Sequence, residues 1–177
     1  MNAHNAKKAK SAMATKVCLV GSSRALVSKM VQALYMRPRA PGELVIPAEV
    51  RALDTSFSRF AGVHSLRFAG RVLDVWTVCS PRGAGDDVGP ARCGVEDPVV
   101  HGGARGFVVL LDGRSASAAD VSRWVAAIRR RSAAPIVVAL DGREVPATPH
   151  DAFSRTTFVR VDTTAAQNLE APFAAVM

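Results

Sequence analysis

Short apolar runs alternate along this chain with stretches in which apolar residues recur every three or four positions, which predicts strands and helices in turn. Val17 to Val20 is an unbroken apolar run closed by Gly21, as expected of a strand buried on both faces. Leu26, Val27, Met30, Val31 and Leu34 then follow helical spacing, and that helix ends before Pro38. Ser65 to Phe68 and Val72 to Val78 flank Ala69-Gly70 and read as a hairpin with a glycine turn. Residues 81–104 hold Gly83, Gly85, Gly89, Gly94, Gly102 and Gly103 among prolines and charges, which predicts a long mobile loop.

The second half is more regular. Gly106 to Leu111 is a continuous apolar strand, and Ser117-x-x-Asp120 has the form of a capping box opening a helix. Val121, Trp124, Val125 and Ile128 make one apolar stripe on that helix, and Arg129, Arg130 and Arg131 close its C-terminal end, where cations suit the macrodipole. Pro135 to Leu140 and Thr157 to Val161 are two further strands, and Leu169, Phe173 and Val176 share one side of a short terminal helix. Strands alternating with helices imply a parallel or mixed sheet covered on both faces. Other α/β folds, such as flavodoxin-like domains, satisfy the same pattern, because the order of strands in the sheet is not readable from it.

A chain of 177 residues with 49% hydrophobic content fits one domain with a substantial core. No apolar run approaches the roughly 20 residues of a membrane span, and the N-terminus lacks the apolar core of a signal peptide. The expectation is a soluble, cytoplasmic protein. Cys18, Cys79 and Cys93 lack CxxC spacing and point neither to a disulfide framework nor to zinc. His64, His101 and His150 with Cys93 show no metal-ligand spacing, and Asp86 and Asp87 read as solvating charges. No G-x-S-x-G elbow surrounds Ser22 or Ser23, so a hydrolase triad has no support.

Charge is unevenly placed. The net +8 lies entirely in residues 1–42, from Lys7 to Arg39, while fifteen basic and fifteen acidic residues balance in the remainder. Tyr35 is the one aromatic residue in that stretch, too little for base stacking, so nucleic acid is not an expected partner. Residues 1–15 read as a basic flexible tail, suited to an acidic partner or an anionic membrane surface. The lack of acids there also leaves a mitochondrial presequence open, although its basic residues are lysines rather than arginines.

The turn after the first strand carries the most informative chemistry. A phosphate loop reads G-x-x-x-x-G-K-[S/T], because amides wrap the phosphates, a lysine neutralises them and a hydroxyl holds magnesium. Gly21 and Ser28 occupy its first and last positions, but Leu26 stands for the second glycine and Val27 for the lysine. Arg24 lies within the loop as a candidate phosphate contact, though it also reads as a surface side chain at a helix start. The outline is that of a nucleotide-binding fold kept as a scaffold.

The order of segments over residues 16–176 resembles the small Ras-like GTPase superfamily, including its Rab and Arf branches. The family's W-D-x-x-G falls on Trp76-Thr77-Val78-Cys79-Ser80, so Thr77 replaces the aspartate that organises magnesium and Ser80 the γ-phosphate glycine. Pro81 and Arg82 stand where a glutamine would orient the hydrolytic water. The strand closing on Leu110-Leu111-Asp112 fits the family order. Its base-reading N-K-x-D falls on Asp141-Gly142-Arg143-Glu144, of which Glu144 alone keeps an acceptor for guanine, and Thr163-Thr164-Ala165 approximates its S-A-K.

The resemblance implies an α/β, P-loop NTPase-like three-layer sandwich, with a mostly parallel sheet and one antiparallel hairpin strand. Residues 16–177 form a single small-GTPase-like domain, and Gly21, Arg24, Ser28, Thr77, Asp141 and Glu144 are the vestigial nucleotide positions. It further implies a noncatalytic pseudo-GTPase without cofactor, metal or small-molecule substrate. Such a protein serves as a subunit of a larger assembly, docking through the former switch regions 37–62 and 81–104. The chain is similar in this respect to the adaptin-binding trafficking cofactor, the GTPase-like subunits of intraflagellar transport and centromere protein M. Trafficking or ciliary transport is therefore the favoured setting. The alternative is a divergent GTPase in which Arg24, Ser28 and Glu144 substitute for the missing groups.

Overall fold

A computed structural model of the chain describes residues 14–36, 60–68, 71–79, 89–142 and 155–177. Its strands are β1 (Thr15–Gly21), β2 (Phe60–Phe68), β3 (Arg71–Val78), β4 (Gly106–Asp112), β5 (Ile136–Asp141) and β6 (Thr156–Val161). The helices are α1 (Arg24–Met36), α2 (Pro90–Cys93), α3 (Pro98–His101), α4 (Ala118–Arg129) and α5 (Ala171–Ala175). The six strands form one sheet in the order β2-β3-β1-β4-β5-β6. Every neighbouring pair is parallel except β2 with β3, the predicted hairpin, in which Phe68 pairs with Arg71.

The alternation of side chains along each central strand divides the core into two layers. On one face Val17, Leu19, Val108 and Leu110 pack against Val27, Met30, Val31 and Leu34 of α1, with Phe173 of α5 and Val176 just beyond it. On the other, Cys18, Val20, Phe107, Val109 and Leu111 meet Val121, Trp124, Val125 and Ile128 of α4. The expected three-layer sandwich is therefore present. The capping box is present too: Ser117 accepts the N–H of Asp120, and Asp120 accepts the N–H of Ser117 at 2.8 Å.

The expectation of a long mobile loop over 81–104 needs correction in its described part. Residues 81–88 lie outside the described residues, but 90–101 contain α2 and α3. Each begins with proline at its first position, where a missing N–H costs nothing, and Gly94 closes α2 in the left-handed conformation at φ +71°. Their apolar side chains Cys93, Val95 and Val100 are fully buried with α4, so this segment forms part of the core.

Lys16 fastens it. Its Nζ donates to the carbonyl oxygens of Val99 at 2.7 Å and Gly102 at 2.8 Å, and lies 3.9 Å from the ring centre of Trp76. Lys16, the first basic residue beyond the tail, thus holds the carbonyls at the C-terminal end of α3, which carry negative partial charge.

Candidate functional site

In an open parallel sheet a ligand crevice lies outside the carboxyl ends of strands whose connections leave in opposite directions. β1 and β4 meet that condition here, and a cleft of about 810 Å³ lies there. Ser22, Ser23, Leu26 and Lys29 line it from the β1–α1 side. Asp112, Asp141 and Asp162, which end or directly follow β4, β5 and β6, line it from the other.

The β1–α1 turn is short. α1 begins at Arg24, two positions before Leu26, the residue standing at the second glycine of a phosphate loop. Ser23 caps it: its hydroxyl accepts the N–H of Leu26 at 3.3 Å, and its carbonyl accepts that of Val27 at 3.1 Å. Two amides at the helix start are thereby taken by Ser23. Val27, at the lysine position, is 1% exposed and packs into the core. Gly21 is needed for space: a Cβ there would lie 2.8 Å from Val27 Cγ2 and 2.9 Å from the Leu110 carbonyl oxygen.

Each of the three aspartates accepts hydrogen bonds from the loops around the cleft. Asp112 accepts the N–H of Arg114 at 2.9 Å. Asp141 accepts both the N–H and the hydroxyl of Thr163 at 2.8 Å, joining the β5 and β6 ends. Asp162 accepts the N–H groups of Thr164 at 2.9 Å and Ala165 at 2.7 Å; the Ala165 bond is the main cause holding its carboxyl below the usual carboxylate range. Lys29 crosses from α1 to donate to the Thr164 hydroxyl at 2.6 Å. An anion in the cleft would face these carboxylates, with Lys29 and Arg114 as the cations among its lining residues.

Of the expected site residues, Asp141 alone among those described lines the cleft, while Gly21 is buried and is not part of the lining. Ser28 is exposed and, like Arg24, is not part of the lining. Thr77 is buried in β3 and donates its hydroxyl to the Gly62 carbonyl at 2.9 Å, inside the hairpin. Glu144, Ser80, Pro81 and Arg82 lie outside the described residues. The sequence reading missed Asp162 and Lys29. Both had a signal: three apolar runs each end in aspartate (Leu111-Asp112, Leu140-Asp141, Val161-Asp162), and Lys29 shares a helix face with Leu26.

No group of His, Cys, Asp and Glu with metal-binding geometry occurs among the described residues. Cys18 and Cys93 are buried and donate to the carbonyls of Val100 and Gly21; burial pushes both thiols up to about 12.

No family model matches the chain, and no curated protein matches it. Solved structures do. The crystal structure of a bacterial selenocysteine-specific elongation factor, EF-Sec, aligns over 92% of this chain at 10% identity with a TM-score of 0.52. The chain has a P-loop GTPase-like fold. A variant of Era from Aquifex aeolicus bound to GDP·AlF4− aligns over 91% at 13% identity with a TM-score of 0.48. The chain spans 28% of the first protein and 55% of the second.

Proposed function

We propose that this GTPase-like fold works without nucleotide, as a noncatalytic pseudo-GTPase and protein-interaction subunit of a larger assembly. The observation that carries this reading is the closed start of α1. Where a phosphate loop needs free amides, a lysine and a hydroxyl, Ser23 takes the amides of Leu26 and Val27, Val27 is buried, and Ser28 lies outside the cleft lining. One lost charged hydrogen bond costs roughly 1.5–3 kcal/mol, about ten- to a hundredfold in affinity or somewhat more. The three carboxylates facing the cleft act in the same direction as that loss.

A protein of this kind keeps the rigid sheet and presents its loops to partners constitutively. Trafficking or ciliary transport remains the setting favoured by the resemblance. Denaturing the purified protein and assaying released nucleotide, together with calorimetric titration of GDP and GTP with magnesium, tests the proposal. Neither nucleotide nor heat is expected; tight magnesium-dependent binding would establish the alternative of a divergent switch.

A further inference from the structure

The amino end of the sheet, opposite the cleft, concentrates positive charge. Arg71 opens β3, Arg105 precedes β4, Arg130 and Arg131 follow α4, and Arg155 precedes β6, all exposed. Glu96 is drawn to this end by its ion pair with Arg130, and Asp97 beside it is occupied in capping α3. The macrodipole of α4 accounts for the arginines of one turn. It does not account for Arg71, Arg105 and Arg155, which come from three other places in the sequence and are spread along this end of the sheet by the strand order. Arg129 and Arg155 lie near enough that the second cation, after burial, lowers the proton affinity of the first.

A second observation falls on the same end. The large hydrophobic residues exposed among those described are Met36, Val99 and Met177, at 78%, 47% and 42%. Met36 ends α1, which runs away from the cleft. Met177 follows Val176, which lies against the Gly106 position at the start of β4, and the carbonyl of Val99 is held by Lys16 from the start of β1. The segment carrying Lys7, Lys8 and Lys10 also joins the domain at this end, through Ala14.

Exposed arginines at one end of the sheet, with exposed apolar side chains at the same end, match the chemistry of a lipid–water interface. The cations attract anionic headgroups and the apolar side chains enter the acyl boundary. A nucleic acid would use the cations against its phosphates but give the exposed apolar side chains nothing to enter, so the combination favours the lipid surface. We infer that the amino end of the sheet is a peripheral docking face for an anionic membrane surface, leaving the cleft and its loops directed away from the bilayer.

Flotation of the full chain with vesicles of phosphatidylcholine, with and without phosphatidylserine, tests this. Binding is expected to the anionic vesicles alone and to weaken as salt rises. The triple variant Arg71→Glu, Arg105→Glu, Arg131→Glu, with circular dichroism unchanged, should lose about fivefold in affinity or more for each arginine. Met36→Ser with Met177→Ser should weaken binding that salt has not abolished. No flotation with anionic vesicles at low salt would overturn the inference. So would undiminished binding by the folded triple variant, which would assign the attraction to the lysine-bearing segment, or binding to RNA in place of vesicles.

Discussion

The hydroxyl of Ser23 accepts the N–H of Leu26 at 3.3 Å, and this bond sets where α1 begins. A serine at that position supplies a cap for a helix that starts early. The early start removes the loop in which a phosphate would otherwise lie, and it turns Val27 into the core. The residues that depart from the phosphate-loop pattern and the closed geometry of this turn are therefore one feature seen at two levels.

Val27→Lys is predicted to destabilise the protein by about 3 kcal/mol or more, because the ammonium would enter a closed apolar layer. It should confer no GTP binding. In an open phosphate loop the same substitution would restore affinity, so denaturant unfolding read beside calorimetry separates the two geometries.

Gly21→Ala should cost about 1–3 kcal/mol by overpacking against Val27 and the Leu110 carbonyl. Thermal unfolding measures it. Glycine is required here by the close approach of helix and strand, independently of any ligand.

Much of this was legible in the sequence, where the signals are local. The hairpin around Ala69-Gly70 and the Ser117–Asp120 box depend on neighbours within a few residues. Residues 89–104 misled because glycines and prolines mark turns equally well when they bound a four-residue helix. Pro90 and Gly94 in fact occupy the start and end positions of α2. The cleft was legible as a place but not as chemistry. Thr77 is turned into the β2–β3 hairpin and Asp141 joins the ends of β5 and β6, because their partners, Gly62 and Thr163, are fixed by register and loop contacts that spacing does not reveal.

Lys16→Met should lower stability by about 1–3 kcal/mol, since it leaves the α3 carbonyls of Val99 and Gly102 without their charged donor. Hydrogen exchange should locate the loosening in residues 95–105. A global loss of protection in every strand would instead show that Lys16 holds more than this segment.

The acid limb of stability should report the α4 cap. Hydrogen bonds from the Ser117 side chain and backbone, then from Arg123, hold Asp120 at about 2, below its ordinary 3.8. A depressed folded-state value stabilises above the unfolded one and is lost as pH falls, so this contribution should fade between about pH 4 and 2. Ser117→Ala should cost about 1 kcal/mol at neutral pH and reduce that acid dependence.

Thiol chemistry supplies the opposite limb. Cys18 and Cys93, raised by burial from 9.0 to about 12, stay protonated in the fold and ionise readily once unfolded. Their stabilisation is complete below pH 9 and is lost as pH rises through 9 toward 12. Cys18, Cys79 and Cys93 should all resist a thiol reagent at pH 8 and react together in denaturant. Rapid labelling of the native protein would show that the core opens.

The central claim is that the β1–α1 turn is closed to phosphate, and direct binding tests it most plainly. Purified, folded protein should release no guanine nucleotide on denaturation and give no calorimetric heat with GDP or GTP and magnesium at high micromolar concentration. Copurifying GDP, or magnesium-dependent binding weakened by Arg24→Ala or Ser28→Ala, would contradict it and restore the switch reading.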